Sequence, residues 1–354
     1  MQDKYRVYRE KIEKALHVLV PATVDSSWIS RTFSYSDIKP PQVRTLIEPG
    51  YDILNRGGKR WRPLLMLLIC ENLGGEENVV PLVPLVELPH QASLIHDDIE
   101  DNSPFRRGAE ALHVRYGLGS ALNTGSFLYF LSLVSLESWE ATAEQKYRIF
   151  EKWAYTFRNL HLGQSLDIQW HETVESIPDI EEYHTMCRLK TGSLVRLAGE
   201  LGVLMSKVND DATVETFGTA AETLGLAFQI LDDVQNIRGG TPGKHHGDDI
   251  IEGKKSLPIL LYLQAHPERA DWVNTCFKAA RILKQESPTI PELVDVLEQS
   301  GAIEEAYLKG IHYIQEVQET FHTFLNEGLT KTLILELIDT IGHNHQGIKK
   351  NVRS

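Results

Sequence analysis

The strongest constraint on the fold is a set of apolar runs without charge, Pro63 to Cys70 and Ser126 to Leu136 foremost, that leave no polar stripe for water. They fall well short of the ~18 residues that mark a membrane span. Helices that are apolar nearly all round belong in the middle of a large bundle. The rest of the chain agrees. Tyr5, Tyr8, Ile12, Leu16 and Leu19 recur at helical spacing before Pro21. Similar patterns run over Val43 to Leu54, Val79 to Asp101, Ser120 to Leu136, residues 143–170, Ile180 to Met205, Val214 to Asn236, and from Leu257 to about Ile341. Sustained alternation, a hairpin signal and a GxGxxG are missing from the sequence. The expectation is an all-α protein, a single large helical bundle spanning 1–354 as one domain, with an N-terminal helix and a Ser/Thr-rich connector over 1–40.

Charge inside such a bundle needs a reason. His90 to Arg107 reads HQASLIHDDIEDNSPFRR, so Asp97, Asp98 and Asp101 end an apolar helix at spacings of three and four that place them on one face. Clustered carboxylates repel, and aspartate is a poor helix former. A ligand that offsets them is called for, and a hard cation is the obvious one. A lone cluster of this kind is as readily a solvated helix end. A second pair, Asp232 and Asp233 behind Phe228, Ile230 and Leu231, changes the weighing, as does Asp248-Asp249 with Glu252 just after a glycine-rich loop over Gly239 to Gly247. Carboxylates on two buried helices are how bundles build metal sites.

Oxygen ligands without His or Cys pairs at ligand spacing favour Mg2+ or Mn2+ over zinc. Mg2+ shares itself between one or two carboxylates and substrate phosphates, so the acids imply a phosphorylated ligand. Lys59, Arg62, Arg106, Arg107, Lys190, Lys244 and Lys254 flank helix ends or loops near the acids and suit phosphate oxygens. The net charge of −13 argues against nucleic acid as a partner. Cys70, Cys187 and Cys276 are far apart in apolar contexts and read as core thiols of a cytoplasmic protein, and the charged N-terminus is not a signal peptide.

Five motifs in order and spacing make the sequence similar to the trans-isoprenyl diphosphate synthases of farnesyl and geranylgeranyl type. They are GGKRWRP at Gly57 to Pro63, DDIED with the arginine pair at Asp97 to Arg107, GQSLD at Gly163 to Asp167, KTG at Lys190 to Gly192, and FQILDDVQN followed by GDDIIEGK. The resemblance implies an all-α fold with central helices around a deep cavity, and a homodimer. It implies a Mg2+-dependent transfer in which an allylic diphosphate ionises, isopentenyl diphosphate attacks and a proton is lost, with about three ions on the bound diphosphate. Lys59, Arg62, His90 and Arg107 match residues that hold isopentenyl diphosphate. Arg106, Lys190, Thr191, Lys244 and Lys254 match those on the allylic diphosphate, and Gln229 matches a further substrate-binding position. Asp97, Asp101 and Asp232 match the principal metal ligands; Asp98, Asp233 and Asp249 match their supports, while Gln164 and Asp167 match the lining of the reacting end. The second motif departs from the pattern, with Asn236 where an aspartate is usual.

Ala92 and Ser93 lie one turn before Asp97, where farnesyl-forming relatives usually carry an aromatic residue. One isoprene unit is about one helical turn, ~5 Å, so small residues leave room for a longer product. Geranylgeranyl diphosphate is the expected product, with farnesyl or longer chains as alternatives. Leu85 and Leu88, or the facing Phe127 and Phe130, are other candidate stops. A terpene cyclase on the same fold is disfavoured because it needs no second diphosphate site. A non-catalytic subunit of a heteromeric synthase stays open.

Overall fold

The run that most demands burial forms the helix Trp61–Asn72, in which Leu65, Met66, Leu68 and Ile69 are fully buried. It belongs to a computed structural model that describes residues 2–35, 37–173, 176–239 and 247–343. The glycine loop of residues 240–246, with Lys244, lies outside the described residues. By internal contacts the chain forms two compact units. The first takes Met1–Trp153, Leu197–Val214 and Asn326–Leu333; the second takes Ala154–Arg196, Glu215–Leu325 and Ile334–Ser354.

In the first unit, Pro84–Glu100 packs most extensively on Leu118–Leu131, with Pro40–Asn55 against the latter and Gln2–Leu19 against the former. Pro84 starts its helix, where a missing N–H costs nothing, and Pro89 is carried within it. The expected connector is partly helical: Asp25 caps Ser26–Thr32 by accepting from the Trp28 amide at 2.7 Å, a cap signal hidden in a polar stretch. The apolar stretch Ser120 to Leu136 is two helices, Leu118–Leu131 and Leu133–Ser138, and is not buried all round. Leu118, Leu122 and Phe130 stand 58%, 49% and 67% exposed on one face.

The second unit is built on two long helices, the later part of Ala143–Glu172 and most of Asp211–Gly239, with Leu257–Ala265 packed on Ala302–Phe324. Asp179 and Glu182 form a reciprocal capping box at the start of Ile180–Cys187. Beyond Cys187 the path is not the continuous helix expected to Met205. A π-helical turn, Arg188–Gly192, precedes Ser193–Leu204. No membrane-crossing helix is present among the described residues. Those residues contain one two-stranded ribbon, Phe105–Arg106 with Ala109–Glu110.

Candidate active site

In the first unit the helix Pro84–Glu100 carries Asp97 half-buried and Asp98 buried, and Asp101 forms its C-terminal cap. Arg106 Nε donates to Asp98 Oδ1 at 2.8 Å, and Nη2 donates to the same oxygen. Burial pushes the Asp98 carboxyl up from its usual range, and the guanidinium offsets only part of that. Asp98 Oδ2 is buried without a hydrogen-bond partner.

The arginines are separated by a tight turn. Arg107 and Gly108 join the two short strands with φ of 52° and 77°, the pattern of a type I′ hairpin turn. Arg106 is sent to Asp98, and Arg107 donates to Gly57 O and, at 3.1 Å, to Gln91 Oε1. No hairpin signal announced this turn, because an arginine stands where asparagine or glycine is usual.

Arg62 lies buried over the Trp61 ring, its Cζ 4.5 Å from the ring centroid, and its Nη1 is 3.5 Å from His90 Nε2. Burial, aided by the charge on Arg107 and opposed by Glu87, brings Arg62 down to about 10, so it stays charged at neutral pH. Burial and then the charges of Arg62, Arg107, Arg60 and Arg106 hold the His90 imidazole well below its usual value. Arg60, by contrast, is structural, bonded to Glu13 Oε1 at 2.9 Å, Glu87 Oε1 at 2.7 Å and Leu54 O at 2.7 Å. Lys59 is exposed beside the Gly57-Gly58 turn. Ala92 is fully buried, and Ser93 Oγ donates to His90 O at 2.9 Å. Phe130, offered as a facing stop, points to the outside of its unit, and Phe127 stacks on Phe33 at 6.0 Å.

In the second unit two glycines set the geometry. A Cβ on Gly163 would sit 2.3 Å from the Lys190 amide nitrogen, and one on Gly225 would sit 2.6 Å from Gly192 Cα. The backbones of Ala143–Glu172 and Asp211–Gly239 therefore close on the π-helical turn from two sides, which explains the glycines of GQSLD and KTG. That turn presents Lys190 and Thr191, the type of local widening that concentrates at functional sites. Lys190 Nζ donates to Asp167 Oδ2 at 2.6 Å, and His171 Nε2 lies 3.0 Å from Asp167 Oδ1. Although burial pushes Asp167 up, Lys190, His171 and Lys254 hold it well below the usual range. Gln164, one turn earlier on the same helix, is half-buried.

Thr191 Oγ1 donates to Gln229 Oε1 at 2.7 Å, and Gln229 Nε2 donates to Asp233 Oδ1 at 2.8 Å. Tyr183 Oη donates to Asp233 Oδ2 at 2.7 Å. Burial, with the neighbouring Asp249 carboxylate, pushes Asp233 up to about 7. Asp232, beside it, is half-buried. Lys254 Nζ donates to buried Asp249 Oδ1 at 3.2 Å, and Asn236 Oδ1 accepts from the Asp249 amide at 3.2 Å. Asn236 is thus a structural clasp in this chain. Lys255 and Arg281 hold the Lys254 loop by donating to backbone carbonyls: Lys255 to Trp170 and Gly253 at 2.7 and 3.0 Å, Arg281 to His171 and to Glu252, the latter at 2.9 Å. Tyr183, His171, Lys255, Arg281, Glu87 and Gln91 were all missed in the sequence. Only Glu87 and Gln91 left a signal there, as polar residues one turn apart in an apolar helix.

The donor set suits Mg2+. Among the described residues no three His, Cys, Asp or Glu side chains form a ready-made metal cage. Mg2+ needs none, since it completes its shell with water and substrate phosphates, and Asp98, whose Oδ2 is buried without a partner, feels the charge of the neighbouring Asp97 carboxylate.

A polyprenyl synthetase profile matches residues 43–294. The chain belongs to the polyprenyl synthetase family. It is accordingly a trans-prenyltransferase. The geranylfarnesyl diphosphate synthase of Aeropyrum pernix is 30% identical over 275 residues, covering 75% of this chain and 84% of that one. The geranylgeranyl pyrophosphate synthase of Eremothecium gossypii is 35% identical over 231 residues, 63% of this chain and 71% of that one. Among solved structures, geranylgeranyl pyrophosphate synthetase from Pyrococcus horikoshii superposes with a TM-score of 0.83 at 25% identity over 96% of this chain and 97% of that one. The family's all-α fold and the sequence expectation agree.

Proposed function

We propose that the chain condenses isopentenyl diphosphate with an allylic diphosphate and that geranylgeranyl diphosphate is its main product. The observation that carries the product length is Ala92, fully buried with only a methyl group one turn before Asp97, with Ser93 beside it.

The residues divide the work. Lys59, Arg62, His90 and Arg107 take the diphosphate of isopentenyl diphosphate. His90 is neutral, and its Nε2 faces a guanidinium that can only donate, so Nε2 accepts and Nδ1 keeps the proton for an incoming phosphate oxygen. Arg106, Lys190, Thr191, Gln229, Lys244 and Lys254 take the allylic diphosphate. Thr191 fixes the Gln229 amide, while Lys190 is held ready on Asp167. Asp97, Asp101 and Asp232 are the carboxylates that would hold Mg2+, supported by Asp98, Asp233 and Asp249. When bound, Mg2+ supplies positive charge for the departing diphosphate. Arg106, Lys190, Lys244 and Lys254 stabilise the same leaving group, and apolar helix faces keep water from the allylic cation.

Ala92→Phe tests the placement. The main product of extending labelled isopentenyl diphosphate, resolved by chromatography, is expected to shorten by at least one isoprene unit. An unchanged product would remove Ala92 from the tunnel floor. A homodimer is supported by the exposed stripe Leu118, Leu122 and Phe130, and light scattering of Leu122→Glu should report a monomer. All three cysteines are free and buried, in keeping with a cytoplasmic enzyme.

A further inference from the structure

Glu87 and Gln91 are buried in an otherwise apolar stretch of Pro84–Glu100, and none of the roles above uses them. Polar groups are tolerated there only when hydrogen-bonded. Glu87 Oε1 accepts from Arg60 Nη1 at 2.7 Å and from Gln91 Nε2 at 2.6 Å, and Gln91 Oε1 accepts from Arg107 Nη1 at 3.1 Å. The chemistry of the ends fixes the middle. A carboxylate only accepts and a guanidinium only donates, so the amide between them has one satisfied orientation, nitrogen toward Glu87 and oxygen toward Arg107. Arg60 in turn is immobilised by Glu13 and the Leu54 carbonyl.

We propose that Gln91 is a positioning residue that couples the fixed Arg60–Glu87 pair to Arg107 and so aims that guanidinium at the diphosphate of isopentenyl diphosphate. The inference rests on the binding role given to Arg107 above. Arg107 Nη1 also donates to Gly57 O, so Gln91 is the side-chain half of a two-point tether. Arg107 has a left-handed backbone with φ 52°, and its charge is crowded by Arg60, which with burial lowers its hold on the proton. Glutamine alone supplies both a donor and an acceptor at this length. Methionine fills the same volume and supplies neither.

The test is Gln91→Met in the full chain, with the thermal midpoint as a check on folding. KM for isopentenyl diphosphate is expected to rise about tenfold, equivalent to about 1.4 kcal/mol, with kcat and the allylic KM changed less than about twofold. Glu87→Gln, which frees the Gln91 amide to turn over, should show the same split. Unchanged KM for isopentenyl diphosphate in folded Gln91→Met, or equal rises for both substrates, would overturn the proposal. Calorimetric titration of inorganic diphosphate reads the tether without turnover. If the wild-type chain condenses nothing, the functional reading fails separately. A weaker diphosphate affinity in Gln91→Met would then still uphold the tether, and an equal affinity would reject it.

Discussion

Asp98 and Asp233 hold the same place in the two acid pairs, the second carboxylate at the end of an apolar helical run, and the two units satisfy them by opposite means. Asp98 meets a cation, with Arg106 donating twice to one oxygen. Among the described residues Asp233 accepts hydrogen bonds from neutral donors, Tyr183 on one oxygen and Gln229 on the other, with Asp249 close enough to disfavour its charge and Lys254 offsetting part of that. Identical motif letters therefore conceal different electrostatics. Burial pushes both carboxyls up, and a guanidinium partly offsets this at Asp98 whereas a neighbouring carboxylate adds to it at Asp233.

The comparison predicts unequal costs. Arg106→Met strands a buried carboxylate and should lower stability by about 3 kcal/mol in urea unfolding. A loss no greater than that of the Tyr183 variant below would erase the distinction. Gly163→Ala acts on the second unit alone by forcing a Cβ against the Lys190 amide, and about 2 kcal/mol is expected. The π-helical turn should shift, loosening Thr191 from Gln229 while Asp98–Arg106 stays intact. Crystallography of the variant reads both at once. Tyr183→Phe removes one neutral donor to Asp233 and should cost about 1 kcal/mol. It should also raise the Asp233 pKa further, since the lost bond favoured the ionised form.

An effect of the same size separates the units by pH. Because His90 has a folded pKa below its unfolded value of about 6.5, the unfolded chain binds the extra proton first and stability falls as pH drops through that range. His90→Asn should lessen that fall by about 1 kcal/mol in paired urea titrations at pH 7 and 5.5. A steeper fall in the variant would mean that the ring is protonated in the native protein.

Much of this was legible in the sequence where local pattern carried it. Helices over Val43 to Leu54 and Val214 to Asn236 follow from apolar spacing, and the five motifs located both acid pairs and the cations around them. What escaped depends on partners distant in the chain. Arg60 and Glu87 are 27 residues apart and Tyr183 and Asp233 are 50 apart, and no periodicity links them. Lys190 and Thr191 looked helical because a π-helical turn has the composition of a helix. Its cause is the close approach of Gly163 and Gly225, which only the packed backbones reveal. The apolar run Ser126 to Leu136 suits a core helix and a surface face equally, because composition does not distinguish the two, and only the structure shows Phe130 exposed.

The most direct measurement is product identification after incubating the purified chain with Mg2+, labelled isopentenyl diphosphate and each of dimethylallyl, geranyl and farnesyl diphosphate. The predicted result is diphosphate release with geranylgeranyl diphosphate as the main product from every primer. Farnesyl diphosphate as the end product would contradict the role of Ala92, and no diphosphate release with any primer would contradict the catalytic reading of both acid pairs.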